Sequence, residues 1–199
     1  MDVNVAETLE TAAAAARACT LCADLPLGPR PIFQVSVTAR VLIASQAPGT
    51  KAHVSGTPFM DPSGVRLRAW LGMDEALFYD AARIAILPMA FCYPGRLPQG
   101  GDEPPRPVCA PLWQPRILPL LTGLRLILLV GGYSQDFHLS PIHGRGAMTE
   151  RVRDHARYLP RFFPLPHPSW RTVGWEMRNP WFGAEVLPAL RRAVAEALA

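Results

Sequence analysis

The chain has 199 residues, 49% of them hydrophobic and 18% charged, with a formal net charge of +4. One domain with a sizeable core is expected, without a membrane span or a signal peptide: no apolar run approaches the ~20 residues that cross a bilayer, and the N-terminus lacks the positive, apolar and cleavage-site layout. Nineteen arginines and one lysine, Lys51, carry the positive charge, whose whole excess falls in residues 101–199, where twelve basic face eight acidic side chains; this suits a phosphate-bearing partner and equally an ordinary arginine-rich surface.

In chain order, residues 5–18 predict an alanine-rich helix that leads into "CTLC". "ARVLIAS" (39–45) reads as a buried strand that "QAPGT" breaks with Pro48 and Gly49. Ser63 and Gly64 open "VRLRAWLG", where Val65, Leu67, Trp70 and Leu71 share roughly one helical face. "ARIAILPMAF" (82–91) predicts a second strand, and residues 94–107 a Pro/Gly-rich loop. "PLWQPRILPLL" (111–121) reads as a helix interrupted at Pro115 and Pro119.

"LRLILLVGG" (124–132) has the continuous apolar run of a central parallel strand. A helix over 148–158 follows, then a fourth strand, "RFFPL" (161–165), and a last helix with Asn179 as cap and Pro180 at its first position. Four apolar strands separated by helices predict a three-layer α/β/α domain with a central, mainly parallel four-stranded sheet over residues 1–199, the N-terminal helix and CxxC segment packed onto it. The ligand site of such a fold lies beyond the carboxyl ends of the strands. Residues 46–49, 88–89, 131–133 and 167–171 all fall at strand exits, so one cleft is expected to collect them.

The only cysteines are Cys19, Cys22, Cys92 and Cys109. A close pair plus a distant pair can offer four thiolates to a metal when the fold brings them together; the alternative is buried, unliganded cysteine. Structural disulfides do not suit the reducing compartment expected here, the cytoplasm. Spacing alone leaves zinc and an iron–sulfur cluster equally open.

The fourth strand delivers "FPLPHPSWR", Phe163 to Arg171: a histidine between two prolines, then a hydroxyl, an indole and a guanidinium. Together with "SQAPG" (Ser45–Gly49) after the first strand and "GTPFMDPSG" (Gly56–Gly64), it makes an ordered set of motifs. The chain resembles the uracil-DNA glycosylase superfamily on these residues, most of all its iron–sulfur (family 4-like) bacterial enzymes. Those carry G-E-A-P-G, G-x-P-F-x-G-x-[AS]-G and H-P-S in this order. The resemblance covers roughly residues 15–195 and implies a [4Fe–4S] cluster on Cys19, Cys22, Cys92 and Cys109, with zinc the alternative. The motifs also diverge. Gln46 and Ala47 stand where relatives carry carboxylates, Pro88 stands where they carry a uracil-reading asparagine, and Asp61 replaces a glycine.

The implied activity is hydrolysis of the N-glycosidic bond of uracil or another deaminated base in DNA, the first step of base excision repair, by a monomer whose partner is damaged DNA. The base must leave the stack and enter a pocket. Phe59 is the expected stacking surface, with Gln46, Ala47, Met89 and His53 as further base-binding candidates. His53 is otherwise an ordinary loop histidine.

His167 is expected to donate to the departing base, because the transition state puts negative charge there. Gln46 can hold a water or the pyrimidine edge but is no base. Asp61 either orients the attacking water or caps the helix that follows. Gly49, Ser169, Trp170 and Arg171 are the expected DNA contacts, Ser169 and Arg171 through phosphates and Trp170 as a wedge, unless Trp170 packs against Trp175. No lysine lies in these loops to form a Schiff base, so the enzyme is expected to be monofunctional. The alternatives are a lesion-binding relative with weak or no turnover, and an α/β enzyme that processes nucleobases or nucleotides.

Overall fold

The computed structural model describes residues 7–199, so the first two residues of the expected N-terminal helix lie outside it. The first helix, α1 (Leu9–Arg17), is capped by Thr8, whose hydroxyl accepts from Thr11 N. Its small residues Ala12, Ala13 and Ala16 lie buried on one face, where they allow close packing. Four short strands follow along the chain: β1 (Val41–Ala44), β2 (Ile84–Ile86), β3 (Leu126–Val130) and β4 (Phe162–Leu165). All neighbouring pairs are parallel, in the order β2-β1-β3-β4.

Alternate residues of these strands feed two separate cores, which is why the strands read as continuous apolar runs. Val41, Ile43, Ile84, Ile86, Leu126 and Leu128 face one layer. That layer contains α3 (Pro62–Leu71), α7 (Met148–Arg153) and α9 (Leu187–Leu198). Leu42, Ala44, Ala85, Leu87, Ile127 and Leu129 face the other. There lie α1, α5 (Cys109–Ile117) and α6 (Gly132–His143). The result is a three-layer α/β/α domain. Leu128 is fully buried at the centre, and its truncation to Ala is expected to cost about 3 kcal/mol.

Shorter elements set the loops. After β1 comes α2 (Thr50–Ser55), after α3 comes α4 (Glu75–Phe78), and after β4 comes α8 (Thr172–Arg178). The helix at 111–121 ends as a 3-10 turn over Leu118–Leu120, in keeping with its prolines. Asn179 differs from expectation: it closes α8, with Nδ2 donating to Trp175 O at 2.8 Å. The chain then runs through a π turn, Phe182–Val186, into α9. Among the described residues no helix is long and apolar enough to cross a membrane.

Candidate active site

The strand exits do form one cleft. Backbone pairing continues past the strand ends, with Met89 N donating to Ser45 O at 2.8 Å and Ala90 N to Gln46 O at 3.0 Å. An inner pocket of about 50 Å³ is lined by Ala47, Gly49, Phe59, Asp61, Asp102 and His167, among others. It opens into a groove of about 510 Å³ whose walls include Gln46, Tyr133, Ser169, Trp170 and Arg171. Ala47, Ser63, Asp102 and His167 line both, so they form the passage between them.

Phe59 enters the pocket on a left-handed backbone with φ of 57°, unusual for a residue with a Cβ and strained by about 1 kcal/mol. Its carbonyl lies so close to Gly64 that a Cβ there would sit 1.8 Å away, so only glycine fits at position 64. The ring meets Phe78 edge-on at 6.0 Å, and its remaining surface is left for the pocket. Asp61 is the N-cap of α3: Oδ1 accepts from Gly64 N at 2.9 Å. Oδ2 faces Gly49 across the pocket.

His167 follows β4 and is fixed through its backbone. Its carbonyl accepts from Ser169 N at 2.8 Å and also from the Thr172 hydroxyl. Burial pushes the imidazole below the ordinary histidine range, with the Asp61 charge opposing. The ring is therefore neutral near pH 7 and presents one N–H donor.

Gln46 is directed elsewhere than the sequence suggests: Nε2 donates to Glu103 O at 3.4 Å, across to a hairpin spanning residues 95–103. That hairpin is closed by Leu97 N to Gly101 O and Glu103 N to Gly95 O, both 2.9 Å. It carries Asp102 to the passage. Asp102 is a site residue that the sequence reading missed.

Ser169, Trp170 and Arg171 flank the groove, with Trp170 77% exposed rather than packed on Trp175. Arg171 sits over the Trp170 ring at 5.4 Å and donates through Nη2 to Gly100 O at 2.8 Å. Two candidates are not brought to the pocket. Met89 is buried in the core on the α1 side of the sheet. His53 lies on α2, its carbonyl accepting from Arg30 at 2.6 Å and its ring 6.1 Å from Tyr93. Burial and the Arg30 charge push its imidazole below the usual range.

The metal expectation is corrected. Among the described residues no group of three or more His, Cys, Asp or Glu side chains is arranged to hold a metal ion. Cys19, Cys22, Cys92 and Cys109 are free thiols around an apolar cavity of about 20 Å³, walled by Leu25, Phe91 and Trp113. That is space for a water molecule, not for a [4Fe–4S] cluster. Burial pushes the Cys92 thiol up to about 11 and the Cys109 thiol up to about 12. Cys109 Sγ instead accepts from Phe91 N at 3.4 Å. Neither the cluster nor zinc fits the four cysteines.

A parallel α/β sheet with its pocket at the carboxyl ends of the strands defines the general class of this protein. Residues 32–191 match the model of the uracil DNA glycosylase superfamily, and the chain belongs to that superfamily.

Proposed function

We propose that this protein is a monofunctional DNA glycosylase that hydrolyses the N-glycosidic bond of uracil or another deaminated base. One observation carries the reading: an inner pocket holding an aromatic ring, two carboxylates and a neutral imidazole opens into a groove flanked by Ser169, Trp170 and Arg171. A base leaving the duplex would pass along the groove, and Phe59 would stack on it. As the C1′–N1 bond lengthens, negative charge builds on the base and positive charge on the sugar. The His167 N–H stabilises the departing anion, and the Asp61 carboxylate stabilises the sugar cation or orients water. Ser169 and Arg171 contact backbone phosphates, and Trp170 fills the vacated stack.

A second reading has an observation of its own. Gln46 and Ala47 offer no carboxylate, and the Gln46 amide is engaged with Glu103. That favours a protein that binds a lesion without turning it over. Incubating enzyme in excess with oligonucleotides carrying uracil opposite G, opposite A or in a single strand, or hypoxanthine or xanthine, separates the two. Release of free base from one substrate supports the glycosylase; tight lesion binding with no release supports the second reading. Action on free nucleotides would overturn both.

A further inference from the structure

The hairpin over residues 95–103 contains three glycines and is fastened at two points that converge on the passage into the pocket. Gln46 Nε2 holds Glu103 O from below, and Arg171 Nη2 holds Gly100 O from the rim. Asp102 lies between these fastenings. The point that a Cβ on Gly49 would occupy is 3.4 Å from Asp102 Oδ2 and 3.6 Å from Asp61 Oδ2. The two carboxylates thus border the same small space in front of Gly49, from which a water can hydrogen-bond Asp102. Asp61 has one oxygen committed to Gly64 N, whereas Asp102 has no side-chain hydrogen bond to any described residue.

We propose that Asp102 is the catalytic base of this site, the carboxylate that takes the proton of the attacking water, with Gln46 as the positioning residue that holds its hairpin in place. The carboxylate missing from positions 46 and 47 is thus supplied by a different loop. The inference rests on the glycosylase reading above. In the step, the water oxygen bonds to C1′ and the C1′–N1 pair departs with the base. The water proton passes to Asp102 and then to solvent, and the base anion takes a proton in its turn. The groups facing Asp102 are Asp61 and His167 across the pocket, and Arg96 and Arg171 on its own hairpin and at the rim. Burial and the Asp61 charge push its carboxyl above the ordinary aspartate range, against the two arginines. This makes it a stronger base, and one that acid silences earlier than an exposed aspartate.

Three variants, Asp102→Asn, Gly49→Ala and Gln46→Ala, test this by single-turnover excision against pH with enzyme in excess. The wild type comes first: if it frees no base from any lesion, the glycosylase reading itself fails. If the wild type is active, Asp102→Asn should lose about 10²-fold in rate and the part of the acid limb that Asp102 produces, with affinity for lesion DNA unchanged within about threefold. Gly49 has φ of −86°, which alanine adopts readily, so Gly49→Ala should fold normally yet put a methyl group against both carboxylates, crowd out the water and slow excision similarly. Gln46→Ala should lower the rate less and move the acid limb to lower pH, because a loosened hairpin leaves Asp102 more hydrated. An active wild type matched within twofold by Asp102→Asn, with the same acid limb, overturns the proposal. So does full activity in Gly49→Ala.

Discussion

Arg171 Nη2 donates to Gly100 O at 2.8 Å, tying the loop after β4 to the hairpin that carries Asp102. The guanidinium has donors to spare after this bond, and they face the groove. Arg171→Ala should therefore weaken binding to damaged and undamaged duplex alike. The slope of log affinity against log salt should fall by about one, as loss of a phosphate contact requires. An unchanged slope would mean that Arg171 serves only the hairpin.

Asp61 separates two roles by chemistry. As the cap of α3 it needs an oxygen for Gly64 N, which asparagine also supplies. Asp61→Asn should keep stability within a few tenths of a kcal/mol, whereas Asp61→Ala should cost about 1 kcal/mol in urea unfolding. If the carboxylate also supports the sugar cation or the water, excision by Asp61→Asn should drop at least tenfold despite normal stability. Equal activity would reduce Asp61 to a cap.

His138 should make stability depend on pH. Burial, aided by the Arg161 charge, pushes its imidazole down to about 4, and Nε2 has no hydrogen-bond partner among the described residues. Its folded value lies below the unfolded one, so the unfolded chain takes up the proton first. The contribution is whole above pH ~6.5 and is lost as pH falls towards 4, a change of about 3 kcal/mol. Urea unfolding of wild type and His138→Phe at pH 7 and 4.5 should show a smaller acid loss in the variant. Parallel losses would mean that the ring is not the titrating group.

The four strands were legible because burial on both faces leaves only apolar residues in them. Helix α6 was not: Ser134 and Gln135 are polar yet buried, Ser134 Oγ donating to Gly131 O and Gln135 Nε2 to Leu165 O, and Pro141 lies inside the helix. Those side chains satisfy backbone carbonyls at the strand exits, which erases the apolar stripe that marks a helix. Arg151 carries a charge that the sequence alone does not place inside the fold. It is buried, paired with Asp136 Oδ1 at 2.7 Å and donating to Gly144 O. Asp102 escaped notice because its hairpin is held by backbone bonds and by Gln46 and Arg171, contacts that leave no periodicity in the chain. The cysteine register misled for the opposite reason: spacing can bring four thiols to one place, but the space between them is set by Phe91, Trp113 and Leu25.

The central claim is that the pocket breaks a glycosidic bond with His167 stabilising the departing base. Free-base release from the best lesion, measured in a single turnover for wild type and His167→Ala side by side, tests it most directly. The account predicts complete release by the wild type and a loss on the order of 10²-fold in the variant, with DNA affinity within a few-fold, since the lost bond belongs to the transition state. A wild type that binds the lesion and frees no base, or a His167→Ala variant as fast as the wild type, would contradict it.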